Sequence, residues 1–247
     1  MTATQVAPTQ WTAEQLIQNV LKINPRVAVF DCDGTLWDGD AGLGFMNWTL
    51  EQGIVSRSTS DWIDTRHREY RLGNVSEVQI CGEMVQIYAG LRDAELRDAA
   101  SRYVEEFVTP RIFPEMSELV AALRRKGVEI WAVSSTNKWV IQQGVIAFEI
   151  PANRILAAEV AVVDGIITSG LLDVPTDEGK AESLRRAGLD KPDAVFGNSV
   201  HDQAMLEIAG LAVPVNPSLA LAEAAARRGW ACFQPRSAQM PSHDITK

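Results

Sequence analysis

One stretch of this chain, residues 27–36, constrains the fold more than any other. It opens with the apolar run Val27–Phe30 and continues as Asp31-Cys32-Asp33-Gly34-Thr35. A short run of β-branched and aromatic residues predicts a buried strand. We expect this strand in the middle of a sheet, and in open α/β folds ligands bind at the carboxyl end of such a strand.

Two carboxylates follow this predicted strand, and burying them is costly unless a cation meets them. Asp31 and Asp33 are expected to point the same way because side chains alternate along a strand. One could act as a nucleophile and the other as an acid or base, with Mg²⁺ relieving their repulsion. A strand-to-turn junction, where Asp and Gly are common, is the alternative interpretation. Cys32 is expected to point the opposite way, as buried apolar filler.

The rest of the chain predicts an α/β fold. From Pro114 onward, helical patterns alternate with short apolar strands at 129–133, 194–196 and 211–213, and Asp164-Gly165 is typical of a hairpin turn. This alternation predicts a doubly wound, mostly parallel sheet with helices on both faces.

One long segment interrupts this alternation. Residues 41–108 show helical periodicity without a convincing strand, so they are predicted to form an inserted helical cap domain. The α/β core domain is then expected to consist of residues 1–40 and 109–247.

Composition narrows the classes of partner. A net charge of -9 disfavours nucleic acid and anionic membranes as partners. The three scattered cysteines suggest neither a disulfide framework nor a zinc site. No basic and apolar leader and no run of roughly 20 apolar residues is evident, so we expect a soluble, cytoplasmic protein without a membrane partner.

Three further features stand beside predicted strands or helices. Ser134 ends a second strand, Lys180 begins a helix after an acidic turn, and Asn198 and Asp202 follow another strand. Singly, each has an ordinary explanation: a turn serine, a solvated lysine, or caps of the following helix. Together, and in this order, they indicate one site.

This set of motifs resembles the haloacid dehalogenase superfamily in its phosphatase branch. The four motifs are Asp31-Cys32-Asp33-Gly34-Thr35, Ser134, Lys180 and Gly197–Asp202. The resemblance covers roughly residues 26–233 and is greatest to the phosphoserine phosphatase-like group, whose helical cap is inserted after the first motif. It implies a Rossmann-like core and a small phosphate ester as substrate.

The resemblance also implies roles for individual residues. Asp31 would attack phosphorus and become an aspartyl phosphate, and Asp33 would protonate the leaving oxygen and then deprotonate water. The phosphate-binding set would be Gly34, Thr35, Ser134, Ser135 and Lys180. The Mg²⁺ ligands would be Asp31, the backbone carbonyl of Asp33, Asn198 and Asp202. Asp40 and His201 are expected to bind the substrate.

Two positions depart from the family pattern. The family usually has Asp where this chain has Asn198, and phosphoserine phosphatases have a substrate-binding arginine near Met84. An acidic residue nine positions after the nucleophile meets an ammonium group in those enzymes, and here it is Asp40. These positions favour an ester that bears an amine or a quaternary ammonium without an obligatory carboxylate, although Asp40 could also be a solvated linker acid.

The sequence leaves several functions open. A Mg²⁺-dependent phosphatase is expected first. A phosphotransferase or phosphomutase would share the same residues, and a catalytically silent binding protein is a further alternative. A dehalogenase is disfavoured because it needs neither Asp33 nor a metal.

Overall fold

The computed structural model describes residues 7–238. The strands are β1 (Gln10–Trp11), β2 (Val27–Phe30), β3 (Glu129–Asn137), β4 (Ile155–Val163), β5 (Ile166–Asp173), β6 (Ala194–Gly197), β7 (Leu211–Pro214) and β8 (Cys232–Phe233). The α-helices are α1 (Ala13–Lys22), α2 (Ala41–Glu51), α3 (Arg57–Arg71), α4 (Glu77–Gln86), α5 (Asp93–Tyr103), α6 (Pro114–Arg125), α7 (Lys138–Gly144), α8 (Glu178–Arg186), α9 (Gln203–Glu207) and α10 (Leu219–Arg228).

The central sheet places β2 between two parallel neighbours. Across the described residues, its six strands follow the order β5-β4-β3-β2-β6-β7. All pairs are parallel except β4 with β5, which are antiparallel. The prediction of a mostly parallel α/β sheet, with the first strand inside it, is confirmed.

Helices cover both faces of this sheet. Phe30 lies in a buried cluster with Leu16 and Val20 of α1, whereas Val29 lies in a second buried cluster with Leu184 of α8. Adjacent residues of a strand point to opposite faces, so both faces of β2 are buried, as parallel sheets require. The doubly wound arrangement is therefore confirmed.

Residues 41–108 are helical in the structure. They contain α2 to α5 and a π-helical turn, Val104–Val108. The division into a cap and a core stays a prediction, and the predicted outer limits of the core, at residues 1 and 247, lie outside the described residues.

The predicted hairpin is present between β4 and β5. Asp164 and Gly165 both have positive φ angles, 50° and 77°, which is the conformation of a type I′ turn. Cys32 is fully buried in the apolar core, as expected.

The second predicted strand differs from the observed one. The second strand was expected to end at Val133, but β3 continues to Asn137 with a register shift between Ser134 and Asn137. Such a bulge lets a strand turn individual side chains toward a site. The last strand, β8, pairs with β1 in a separate two-stranded sheet.

No helix among residues 7–238 has the length and apolar character needed to cross a bilayer.

Candidate active site

The sequence motifs converge at the carboxyl edge of the central sheet. Asp31 follows β2, Asn198 follows β6, Ser134 lies on the bulged end of β3, and Lys180 lies in the first turn of α8. With Asp33, these residues line a cavity of about 710 Å³. Parallel strands bring their carboxyl ends to one edge, so distant motifs form one site.

Asp31 is held by two donors. The residue is 4% exposed, and its Oδ1 accepts a hydrogen bond from Lys180 Nζ at 2.7 Å. Oδ2 accepts one from Thr35 Oγ1 at 2.8 Å. Burial and then the charge of Asp202 raise the pKa of Asp31 to about 7, although Lys180 opposes this shift. The two donors fix the orientation of the carboxylate.

Lys180 lies between two carboxylates. Its Nζ donates to Asp202 Oδ1 at 2.5 Å as well as to Asp31. Burial alone would lower the pKa of Lys180, but the charges of Asp202 and Asp31 outweigh it and raise this pKa. Lys180 therefore stays a cation in the site, where it can stabilise an anion.

Asp202 organises the loop after β6. It is fully buried, and Oδ2 accepts hydrogen bonds from the backbone amides of Asn198 and Ser199 at 2.8 and 3.0 Å. Since Oδ1 accepts from Lys180, both oxygens of Asp202 already have donors. Its predicted role as a metal ligand stays a prediction.

Asp33 is fixed by three donors from two parts of the chain. Oδ1 accepts from Trp37 Nε1 at 2.7 Å and from the Ala41 amide at 2.8 Å. Oδ2 accepts from Thr136 Oγ1 at 2.6 Å. Burial raises the pKa of Asp33 although these three donors lower it. A carboxyl group with a raised pKa suits acid–base chemistry near neutral pH.

Gly34 allows the close approach of Asn198 to the first motif. Its φ is 73°, and a Cβ at this position would lie 1.9 Å from Asn198 Nδ2. The turn therefore requires glycine for both its backbone conformation and its packing.

The other predicted phosphate-binding side chains differ in access. Ser134 and Ser135 line the cavity. Ser134 Oγ also accepts from the Thr136 amide at 3.1 Å. Thr35 is fully buried and its hydroxyl donates to Asp31, so its contact with phosphate stays a prediction.

The two predicted substrate-binding residues stand at the rim of the cavity. Asp40 is the N-cap of α2, with Oδ1 accepting from the Leu43 amide at 2.8 Å. Desolvation in the cavity and the charge of Asp33 raise the pKa of Asp40 to about 6. His201 Nδ1 lies 2.7 Å from Asp177 Oδ1. The role of both side chains in binding the substrate stays a prediction.

A model of the haloacid dehalogenase-like hydrolase family matches residues 28–207. The chain belongs to this family. The match includes all four motifs, so the predicted resemblance is confirmed.

Named relatives of this hydrolase include phosphatases. A probable phosphatase of Mycobacterium tuberculosis is 26% identical over 211 residues, which cover 82% of this chain and 73% of that protein. The histidinol-phosphatase of Neisseria meningitidis is 23% identical over 216 residues, covering 83% of this chain and 96% of that one. A solved phosphoserine phosphatase, described as a phospho-aspartyl intermediate analogue, has the same fold: the TM-score is 0.56 at 17% identity, covering 85% and 93% of the two chains.

The oxygen donors of the hydrolase fit a hard divalent cation. When ionised, Asp31, Asp33 and Asp202 carry three negative charges against one positive charge on Lys180, which leaves two negative charges to balance. No three His, Cys, Asp or Glu side chains within residues 7–238 form a metal cluster. Mg²⁺ does not need one, because it is commonly bound by one or two carboxylates, with water and substrate phosphate completing its shell.

Sequence reasoning missed Trp37 and Thr136 as partners of Asp33. Thr136 stands in a stretch that the sequence pattern places beyond the strand, so only the bulge of β3 brings its hydroxyl to Asp33. Trp37 lies outside the first motif in the sequence, yet it is fully buried and donates to Asp33. A large aromatic residue directly after the first motif was the one available signal.

Proposed function

We propose that this hydrolase is a Mg²⁺-dependent phosphatase that hydrolyses a small phosphate monoester through an aspartyl phosphate on Asp31. The observation that carries the proposal is that two neighbouring carboxylates have different partners. Asp31 accepts a hydrogen bond from the buried cation Lys180, whereas Asp33 accepts hydrogen bonds from three neutral donors. The names of the relatives support phosphatase chemistry.

The proposed reaction has two displacements at phosphorus. An oxygen of Asp31 bonds to phosphorus as the bond from phosphorus to the ester oxygen breaks, and Asp33 gives its proton to the departing alcohol. In the second displacement, water attacks the phosphorus of the aspartyl phosphate while Asp33 takes a proton from that water. The bond between phosphorus and the Asp31 oxygen breaks, and phosphate is released. A carboxylate nucleophile divides one difficult displacement into two easier ones.

The remaining residues bind and neutralise the phosphate. We assign this role to Lys180, Ser134, Ser135 and the backbone at Gly34, which line one cavity. Phosphoryl transfer depends on such positioning and charge stabilisation more than on protein covalent chemistry.

Mg²⁺ would be held by the Asp31 carboxylate, the Asp33 backbone carbonyl and Asn198, with Asp202 behind them. When bound, it would neutralise the phosphate so that an anionic nucleophile can approach it. Asn198 supplies a neutral oxygen where the family usually has a carboxylate, so we infer weaker metal binding than an Asp would give.

We further propose that residues 41–108 form a cap over this site and that the substrate bears an amine. Asp40 stands at the cavity where the core passes into α2, and its carboxylate is not paired with a cation among the described residues. A cationic group on the leaving alcohol would supply that pairing.

Product analysis tests hydrolysis against phosphoryl transfer. With nitrophenyl phosphate and Mg²⁺, we expect nitrophenol and inorganic phosphate in equal amounts, also after glycerol is added as an acceptor. Phosphate that falls short of nitrophenol in glycerol would identify a phosphotransferase. No nitrophenol at all would favour a silent binding protein.

A further inference from the structure

A second cavity adjoins the candidate active site. It has a volume of about 250 Å³ and is lined by residues of α2, α3, α4 and the end of β3. The residues that line both cavities are Asp40, Tyr70, Glu77, Ser135 and Thr136. A phosphate bound beside Ser134 and Ser135 would therefore direct its ester group toward this second space.

The walls of the second cavity combine an apolar floor with a polar side. The apolar residues are Leu43, Ile80, Met84 and Val85. The ionisable residues are Asp40, His67, Tyr70, Arg71, Glu77 and Cys81, and Cys81 Sγ donates to the other oxygen of Glu77, Oε1, at 3.5 Å. The space suits a small alcohol that has a short carbon chain and a polar end.

Glu77 has a buried oxygen without a partner. Among residues 7–238, its Oε2 accepts no hydrogen bond although it is shielded from solvent. His201 Nε2 lies 3.9 Å from this oxygen, which is too far for a hydrogen bond. A buried polar atom without a partner is rare in native proteins and indicates a missing group.

His67 shows the same feature in the same cavity. Its Nε2 is buried without a hydrogen-bond partner. Burial and the charge of Arg71 lower the pKa of His67, so the ring is neutral at pH 7. A neutral imidazole can accept a hydrogen bond through one nitrogen.

We propose that Glu77, with His67 as a second acceptor, binds a protonated primary amine on the leaving group of the substrate. A primary ammonium group carries several N–H donors, so it can satisfy both orphaned atoms and the charge of Glu77 together. A quaternary ammonium has no N–H and leaves both atoms unsatisfied. This inference rests on the proposed phosphatase function, and it adds Glu77 and His67 to Asp40, which lines the same cavity, as residues that select the substrate.

Three esters test the proposal: aminopropyl phosphate, butyl phosphate, which matches it in chain length, and the bulkier trimethylated analogue of aminopropyl phosphate. In the parent protein, kcat/KM is expected to be at least about tenfold higher for aminopropyl phosphate than for the other two. Glu77→Gln keeps the side-chain shape and should raise KM for aminopropyl phosphate by about 10- to 100-fold, with kcat and the values for butyl phosphate near those of the parent. His67→Gln should give a smaller rise in the same direction.

Glu95→Gln is the matched control, since it removes one negative charge from an exposed position on α5 outside both cavities. Thermal unfolding of each variant checks that the fold is retained. Two results would overturn the inference: equal effects of Glu77→Gln on aminopropyl and butyl phosphate, or a parent protein that does not prefer aminopropyl phosphate. In either case, turnover of nitrophenyl phosphate would still support the phosphatase function. If the parent hydrolyses no ester, including nitrophenyl phosphate, the proposed function fails first and the inference with it.

Discussion

Replacing Asp31 with asparagine is expected to lower the rate of phosphate ester hydrolysis by several orders of magnitude. An amide oxygen is a poor nucleophile, so the whole covalent route is lost and only binding and electrostatic effects remain. The measurement is kcat with nitrophenyl phosphate at saturating Mg²⁺.

The structure indicates that Asp31→Asn keeps the site in shape. The amide oxygen can still accept from Lys180, and the Thr35 hydroxyl can turn to accept from the amide nitrogen. Lys180 also retains its partner Asp202. Asp98→Asn, an exposed change on α5, serves as the control and should leave kcat unchanged. A folded Asp31→Asn protein with parental activity would contradict the assignment of the nucleophile.

Asp33→Asn is expected to reduce kcat on the order of 10²–10⁴-fold, the usual contribution of general acid–base catalysis. The amide oxygen can keep the two donors at Oδ1, and Thr136 Oγ1 can accept from the amide nitrogen. The substitution therefore removes the transferable proton while the hydrogen-bond pattern is conserved.

The size of the Asp33→Asn effect depends on the substrate. An alkyl ester has a more basic leaving oxygen than nitrophenyl phosphate and depends more on protonation, so the loss should be measured with butyl phosphate. Thr136→Val removes one donor to Asp33 without removing its proton and should cost much less. A loss below about tenfold in folded Asp33→Asn, measured with butyl phosphate, would remove Asp33 from the acid–base role.

Much of the fold was predictable because the spacing of apolar residues and the turn residues that end strands are local properties of the sequence. The strand at Val27–Phe30 and the turn at Asp164-Gly165 both formed as their sequences indicate. The parallel order of the strands followed from the alternation of strands and helices.

The features that the sequence did not predict depend on contacts between distant segments of the chain. The extension of β3 to Asn137 depends on its pairing with β4, which the pattern of residues 134–137 does not reveal. Two roles of site residues were hidden for the same reason. Asp40, which the sequence predicts to bind the substrate, is also the N-cap of α2. Asp202, which the sequence predicts to bind the metal, accepts hydrogen bonds through both oxygens from Lys180 and the loop amides.

Glu77 and His67 could not be selected from the sequence. They lie on two different helices, α4 and α3, and neither belongs to a motif. Their common feature is a buried atom without a partner, which only the packed structure displays.

Phosphate release from nitrophenyl phosphate, before and after removal of the metal, tests the central claim most directly. We predict release with Mg²⁺, its loss when a chelator is added, and recovery when Mg²⁺ is supplied in excess of the chelator, because two negative charges of the site and those of the phosphate need a divalent cation. Hydrolysis that continues unchanged in the chelator would contradict the claim.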